Sequence, residues 1–168
     1  MDTPDKLYRW FVGASVLHGL GIAVWSGLFL LDGIGIPLNL SRIIAGGGVG
    51  TWFTVGYFLY LITGFVGMAV QGFLYYVISE SGGRLFSGKL AAAHFVLMNI
   101  AVMGATWMLG YAGFVGGTLT LEGREAEVHT SIVRYVNPIG YCILAGVISA
   151  LIGAFNITRA RGAACPPR

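Results

Sequence analysis

The sequence predicts an all-α integral membrane protein, a bundle of four transmembrane helices forming one membrane domain over residues 1–168. Three observations predict it. Hydrophobic residues make up 56% of the chain and charged residues only 10%. A soluble domain carries about 25% charge, so this chain is short of groups to cover a water-facing surface. Four apolar stretches each reach the ~20 helical residues that cross a bilayer's ~30 Å core. Many of the 27 glycines lie inside those stretches, where small residues let neighbouring backbones approach. Four spans use the whole length and leave no room for a soluble domain. The net charge of +3 is small and its basic residues are scattered, which argues against nucleic acid. Cys142 sits in an apolar segment and Cys165 in the tail, so no disulfide is expected between them.

Met1–Arg9 is short and polar. Pro4 and Asp5 suit a helix start, and Trp10 suits an interfacial anchor. The first span runs over about 10–31. It is too long for a signal-peptide core and lacks a small-residue cleavage site. Ser15, Gly19, Ala23 and Gly27 form a small-residue stripe on it, expected to pack. Residues 32–50 form a loop whose middle, IPLNLSRIIAG, is expected as a short interfacial helix. Gly46–Gly50 lacks the Lys-Ser/Thr of a phosphate loop and is expected as a flexible turn. The second span covers about 51–78, with no charge between Thr51 and Ser79. After a turn at 81–88, the third span covers about 89–113. Residues 114–130 are expected as a charged loop. The fourth span covers about 131–158, with Pro138 kinking its first turns or marking its true start. Ala145, Ser149 and Gly153 form one small stripe, and Gly146, Ala150 and Ala154 another, which predicts packing on two sides. Residues 159–168 form a short tail.

Four spans place both termini on one side. That side carries Lys6, Arg9, Arg84, Lys89, Arg159, Arg161 and Arg168, against Arg42, Arg124 and Arg134 on the other. Positive-inside bias predicts a cell-membrane protein with both termini cytoplasmic.

The second span opens Gly50-Thr51-Trp52-Phe53-Thr54-Val55-Gly56-Tyr57-Phe58-Leu59-Tyr60-Leu61-Ile62-Thr63. The third contains His94-Phe95 and ends Leu109-Gly110-Tyr111-Ala112-Gly113-Phe114-Val115-Gly116-Gly117. The fourth has Asn137-Pro138-Ile139-Gly140. Over roughly residues 50–158 these resemble the last three helices of haem–copper oxidase subunit I, whose tenth helix begins close to D-T-Y-Y-V-V-G-H-F-H-Y-V-L-S. In that alignment the family's two haem-ligating histidines fall on Tyr57 and Leu59. Neither side chain supplies an imidazole nitrogen to iron. The arginine pair that holds haem propionates bidentately falls on Gly116 and Gly117. The third span is about three residues shorter than the family's, and the first span carries no matching motif. The copper-ligand helices and the cross-linked His-Tyr pair have no counterpart. The resemblance implies a helix pattern kept and a haem site lost.

No catalytic residue and no metal site is expected. No nucleophile–base pair or cofactor box appears, and the first three spans hold no acid for a proton path, which argues against a pump or a proton-coupled transporter. His18 and His94 are the sharpest alternative. Counted from the cytoplasmic side they fall at similar depth, as two axial ligands of one b-type haem would. The competing reading is a pair of neutral, hydrogen-bonded imidazoles. His129 with Glu122, Glu125 and Glu127 has no metal-binding spacing and reads as a solvated loop face. Gln71 and Asn99 are expected to hydrogen-bond across helices.

The resemblance therefore implies a non-catalytic accessory or structural subunit of a respiratory or other redox membrane complex, with a haem–copper terminal oxidase as the expected host. Its expected partners are larger membrane subunits of that complex and lipid. Aromatic residues Trp52, Phe53, Phe58, Phe65 and Phe73 are expected to face them. No cofactor is expected. The alternatives are an electron-transfer protein holding haem b between His18 and His94, and a small channel or transporter, for which the spans offer little polar lining.

Overall fold

The computed structural model describes residues 6–81 and 87–160. Expectations at Pro4, Asp5, Arg84, Arg161, Cys165 and Arg168 lie outside those residues. The described chain forms α1 (Tyr8–Gly33), α2 (Leu40–Ala45), α3 (Gly48–Glu80), α4 (Gly88–Leu121) and α5 (Glu125–Thr158). All but α2 are long and apolar enough to cross a membrane. The protein is an all-α, multi-pass membrane protein.

Successive long helices run in opposite directions. At one end the rings of Phe11 (α1), Tyr75 (α3) and His94 (α4) pack together, with Gly153 of α5 against the imidazole. At the other end Trp25 and Phe29 of α1 pack on Phe53 of α3, which meets Phe114 of α4. The start of α1 and the end of α5 therefore share one end of the bundle. Helices α1, α3 and α4 surround the core. Helix α5 packs almost wholly against α4 and touches α3 only lightly.

The seam of the bundle is on α3. Gly56, Tyr60, Gly64, Met68 and Gly72 recur every fourth residue and are all buried. At Gly56 the helices cross closely. A Cβ there would lie 2.7 Å from the Thr106 carbonyl oxygen and 2.8 Å from the Gly110 backbone nitrogen of α4. Contacts this short need glycine and let dispersion act between backbones, the main attraction between helices in lipid. The indole of Trp25 covers Gly110, where a Cβ would approach it to 2.6 Å. Between Tyr60 and Gly67 the α3 backbone widens into a π-helix, a form that occurs mostly inside α-helices and is frequent at functional sites. Its Phe65 carbonyl accepts the Ser15 hydroxyl at 2.8 Å.

Several boundaries differ from the sequence expectations. Residues 114–130 are not a loop: α4 continues to Leu121 and α5 begins at Glu125. Each helix has 34 residues, about 51 Å at 1.5 Å per residue, so the pair projects past the hydrocarbon core. Glycine at 116 and 117 does not end the helix. Both positions are buried under the 43–50 segment, and the Thr118 and Thr120 hydroxyls return to carbonyls four residues back. The connection is Glu122–Arg124, with Gly123 at φ +72°, a conformation that favours glycine. Arg124 clasps Glu122 at 2.9 Å and Glu127 at 2.7 Å. These hydrogen bonds, Glu127 first, hold the guanidinium above its usual range. Pro138 does not mark the start of α5 but lies inside the helix.

The expected interfacial helix in the 32–50 loop is α2, and the Asp32 carboxylate accepts from the Ser41 N–H at 2.8 Å and hydroxyl at 2.6 Å. The small-residue stripes are used only in part. Ser15 and Gly19 meet Phe65, but Ala23 is exposed and Gly27 has no neighbour within 4 Å of a Cβ. On α5, Ser149 and Gly153 are buried on α4 and Gly146 meets Ala101, whereas Ala150 and Ala154 are exposed. Within this chain α5 is thus packed on one side, not two. Phe53 is buried in the core rather than facing outward, because Trp25 and Phe29 enclose it, while Phe58, Phe65 and Phe73 are exposed.

Candidate functional site

Two polar clusters inside the bundle contain its buried histidines. The first is built on His18. One ring nitrogen, Nδ1, lies 3.1 Å from the Tyr60 hydroxyl of α3, and Nε2 lies 3.2 Å from Asn99 Oδ1 of α4. The Asn99 amide nitrogen donates to the Phe95 carbonyl at 2.8 Å. That bond fixes the amide orientation, so Oδ1 accepts and Nε2 of His18 carries the proton. Nδ1 then accepts, and the Tyr60 O–H donates to it. The order is directional: Tyr60 to His18 to Asn99 to Phe95. Each of the three core helices contributes to it, α1 through His18, α3 through Tyr60 and α4 through Asn99 and Phe95. The cluster sits where glycine makes room, since a Cβ at Gly64 would lie 3.2 Å from the His18 ring and one at Gly21 2.5 Å from the Tyr60 oxygen.

A cavity of about 620 Å³ opens beside this cluster, lined by Trp10, Gly13, Ala14, Leu17, His18, Tyr60, Phe95, Asn99 and Met103. Its polar floor is the His18 cluster and its walls are apolar. A second cavity of about 360 Å³, lined by Trp25, Leu28, Phe53, Trp107 and neighbouring apolar residues, lies toward the other end.

The second polar cluster is built on His94, which is fully buried. Its Nδ1 is 3.0 Å from the Tyr75 hydroxyl, and its carbonyl accepts the Ser149 hydroxyl at 2.7 Å. Asn156 Oδ1 accepts the Ser87 N–H at 2.9 Å. Nε2 of His94 and the amide nitrogen of Asn156 are buried without a protein partner. This cluster joins α3, α4 and α5, with the imidazole seated on Gly153.

The two histidines are not level. His94 packs on Phe11 of α1, and His18 lies seven residues further on, about 10 Å along the axis. The sequence comparison of depth counted from predicted span ends, whereas α1 begins at Tyr8 and the histidines take different neighbours. Both nitrogens of His18 are engaged by Tyr60 and Asn99, and the His94 ring lies among Phe11, Tyr75 and Gly153. The pair does not fit a bis-histidine haem as it stands.

The positions aligned with family haem contacts fall apart in space. Tyr57 is half-buried; its hydroxyl lies 2.9 Å from Ser26 Oγ and its ring packs on Trp25 and Phe29. Leu59 is 36% exposed, so it points out of the bundle. Gly116 and Gly117 press against Val49, Ile43 and Gly50, where an arginine would displace the 43–50 segment. Among the described residues, His129 and Glu122, Glu125 and Glu127 do not form a group able to hold a metal. Asn99 bonds across helices as expected, while Gln71 Oε1 is buried without a partner. Tyr60 and the seam glycines were not singled out in the sequence. Their four-residue spacing was the available signal.

No protein-family model, curated protein or solved structure matches the chain.

Proposed function

We propose that the protein is a non-catalytic structural subunit of a larger membrane assembly, a respiratory or other redox complex. The sequence resemblance makes a haem–copper terminal oxidase the favoured host. The observation that carries this reading is α5. It is held almost wholly by α4, and Tyr141, Leu144, Val147 and Leu151 are all exposed along it together with Ala150 and Ala154. Small residues beside large apolar ones form a surface on which another helix can close. Both internal histidines serve contacts between helices, which supports a packing role over a catalytic one. Extraction in mild detergent tests the reading: the chain is expected in a species far larger than its own 17.8 kDa.

The proposed orientation places both termini in the cytoplasm, following the lysine and arginine bias. The α4–α5 turn and α2 then lie outside. A cysteine introduced at Asn39 is expected to react with a membrane-impermeant thiol reagent on intact cells. Reaction only after lysis would reverse the orientation.

A further inference from the structure

Asn137, Tyr141, Leu144, Ile148 and Leu151 of α5 lie alternately four and three residues apart, and all are exposed. At 3.6 residues per turn they fall on one narrow stripe about 21 Å long. The stripe lies opposite the face on which Cys142, Gly146, Ser149 and Gly153 meet α4. This is the seam spacing of a coiled coil. Ile148 takes one kind of seam position and Leu144 and Leu151 the other, the combination that favours two parallel strands.

The polar member of the stripe lies within the span. Cys142 packs on Gly104 and Gly153 on His94, so Asn137 comes level with about Gly110, which the Trp25 indole covers. Trp25 is about 10 Å inside Asp32 along α1. The Asn137 amide is exposed at that depth and makes no hydrogen bond among the described residues. Pro138 has no N–H to give, so the Arg134 carbonyl one turn back lacks its usual helical donor. Polar groups facing hydrocarbon are costly, and an asparagine in a span bonds across to another helix.

We infer that a second copy of this chain closes on α5, the two α5 helices pairing in parallel about a two-fold axis along the membrane normal. Copies in one membrane share one orientation, so this axis brings each seam residue to its own counterpart at equal depth. An amide is complementary to itself, an N–H of each meeting the carbonyl of the other. A foreign helix would need a matching polar group at that depth, and the second copy carries it. No charge lies between Arg134 and Arg159, and the Arg134 guanidinium turns over the Tyr135 ring on the α4 side, so like copies do not repel along the seam. The inference rests on the reading of α5 as a surface closed by another helix, and it names that helix.

Disulfide trapping in native membranes tests it. In a Cys142→Ala, Cys165→Ser background, Leu144→Cys puts a thiol on the seam and Ile143→Cys puts one beside it. The two positions are 55% and 52% exposed, adjacent in depth, and about 100° apart around the helix. With copper phenanthroline as oxidant, Leu144→Cys is expected to form a species of twice the 17.8 kDa chain mass at least tenfold faster than Ile143→Cys. Adding Asn137→Leu is expected to slow it several-fold. Equal rates for the two cysteines, no dimer from either, or an unchanged rate with Asn137→Leu would overturn the inference. The size of the native particle separates this from the subunit reading. A large particle without the trapped dimer overturns the inference alone. A trapped dimer in a particle holding only this chain upholds the inference and contradicts the subunit reading.

Discussion

Gly56→Leu is expected to abolish the folded bundle. At this position α3 and α4 touch backbone to backbone, and a Cβ would fall within 2.8 Å of two main-chain atoms of α4. A flexible side chain could swing aside, but a helix backbone cannot without moving the whole helix. Ordinary overpacking costs about 1–3 kcal/mol, and a branched side chain against main chain exceeds that. The total margin of a folded domain is only about 5–15 kcal/mol. Losing the crossing also disturbs the Trp25 contact with Gly110 and the Tyr60 bond to His18, since Gly110 lies at the crossing itself and Tyr60 one turn along α3 from Gly56. Gly27→Leu is the control, because a Cβ at Gly27 meets nothing within 4 Å. Yield and monodispersity in detergent should collapse for Gly56→Leu and stay near wild type for Gly27→Leu. Equal behaviour of the two would refute the seam.

Gly153→Leu is expected to release α5 from α4 while the three-helix core persists. The His94 imidazole rests directly on Gly153, so a side chain there must push one helix away from the other. Displacing α5 also breaks the Ser149 bond to the His94 carbonyl and the Asn156 bond to the Ser87 N–H. Polar contacts between membrane helices average about 0.6 kcal/mol each. The steric term therefore dominates, and no other helix holds α5 strongly enough to compensate. Cys142 reports the change, because its sulfur packs against Gly104 of α4. In a Cys165→Ser background, its labelling by a membrane-permeant maleimide should accelerate at least tenfold in Gly153→Leu. An unchanged rate would mean that α5 is held by something other than this contact.

Much of this arrangement is legible in the sequence. The four spans follow from apolar runs whose length matches a bilayer, and the α2 segment from a short apolar stretch between Pro37 and the glycines. The ends of α4 and α5 were not legible, because Gly116-Gly117 and the charged run Glu122–Glu127 resemble turn chemistry. They are helical since Gly116 and Gly117 are needed for packing, and since Arg124 ties the turn to Glu122 and Glu127. Packing partners were legible only in part. A small-residue stripe marks a face able to pack, but which helix fills it depends on tertiary contacts. Ser15 and Gly19 found Phe65, while further along the same stripe Ala23 is exposed and a Cβ at Gly27 would meet nothing within 4 Å. The polar site was half visible. His18, His94 and Asn99 stand out as polar residues in apolar runs, whereas Tyr60 and Tyr75 are among many tyrosines. Which nitrogen meets which hydroxyl depends on helix rotation, which composition does not fix.

The measurement that tests the subunit reading most directly is the size and content of the native particle. The chain, tagged and expressed at its natural level, is extracted in mild detergent, sized, and its companions identified by mass spectrometry. The account predicts one large species containing redox-complex subunits in fixed ratio, with any haem assigned to those subunits and unaffected by His18→Ala or His94→Ala. A small species holding this chain alone, or a haem b band on this chain lost in either variant, would contradict it.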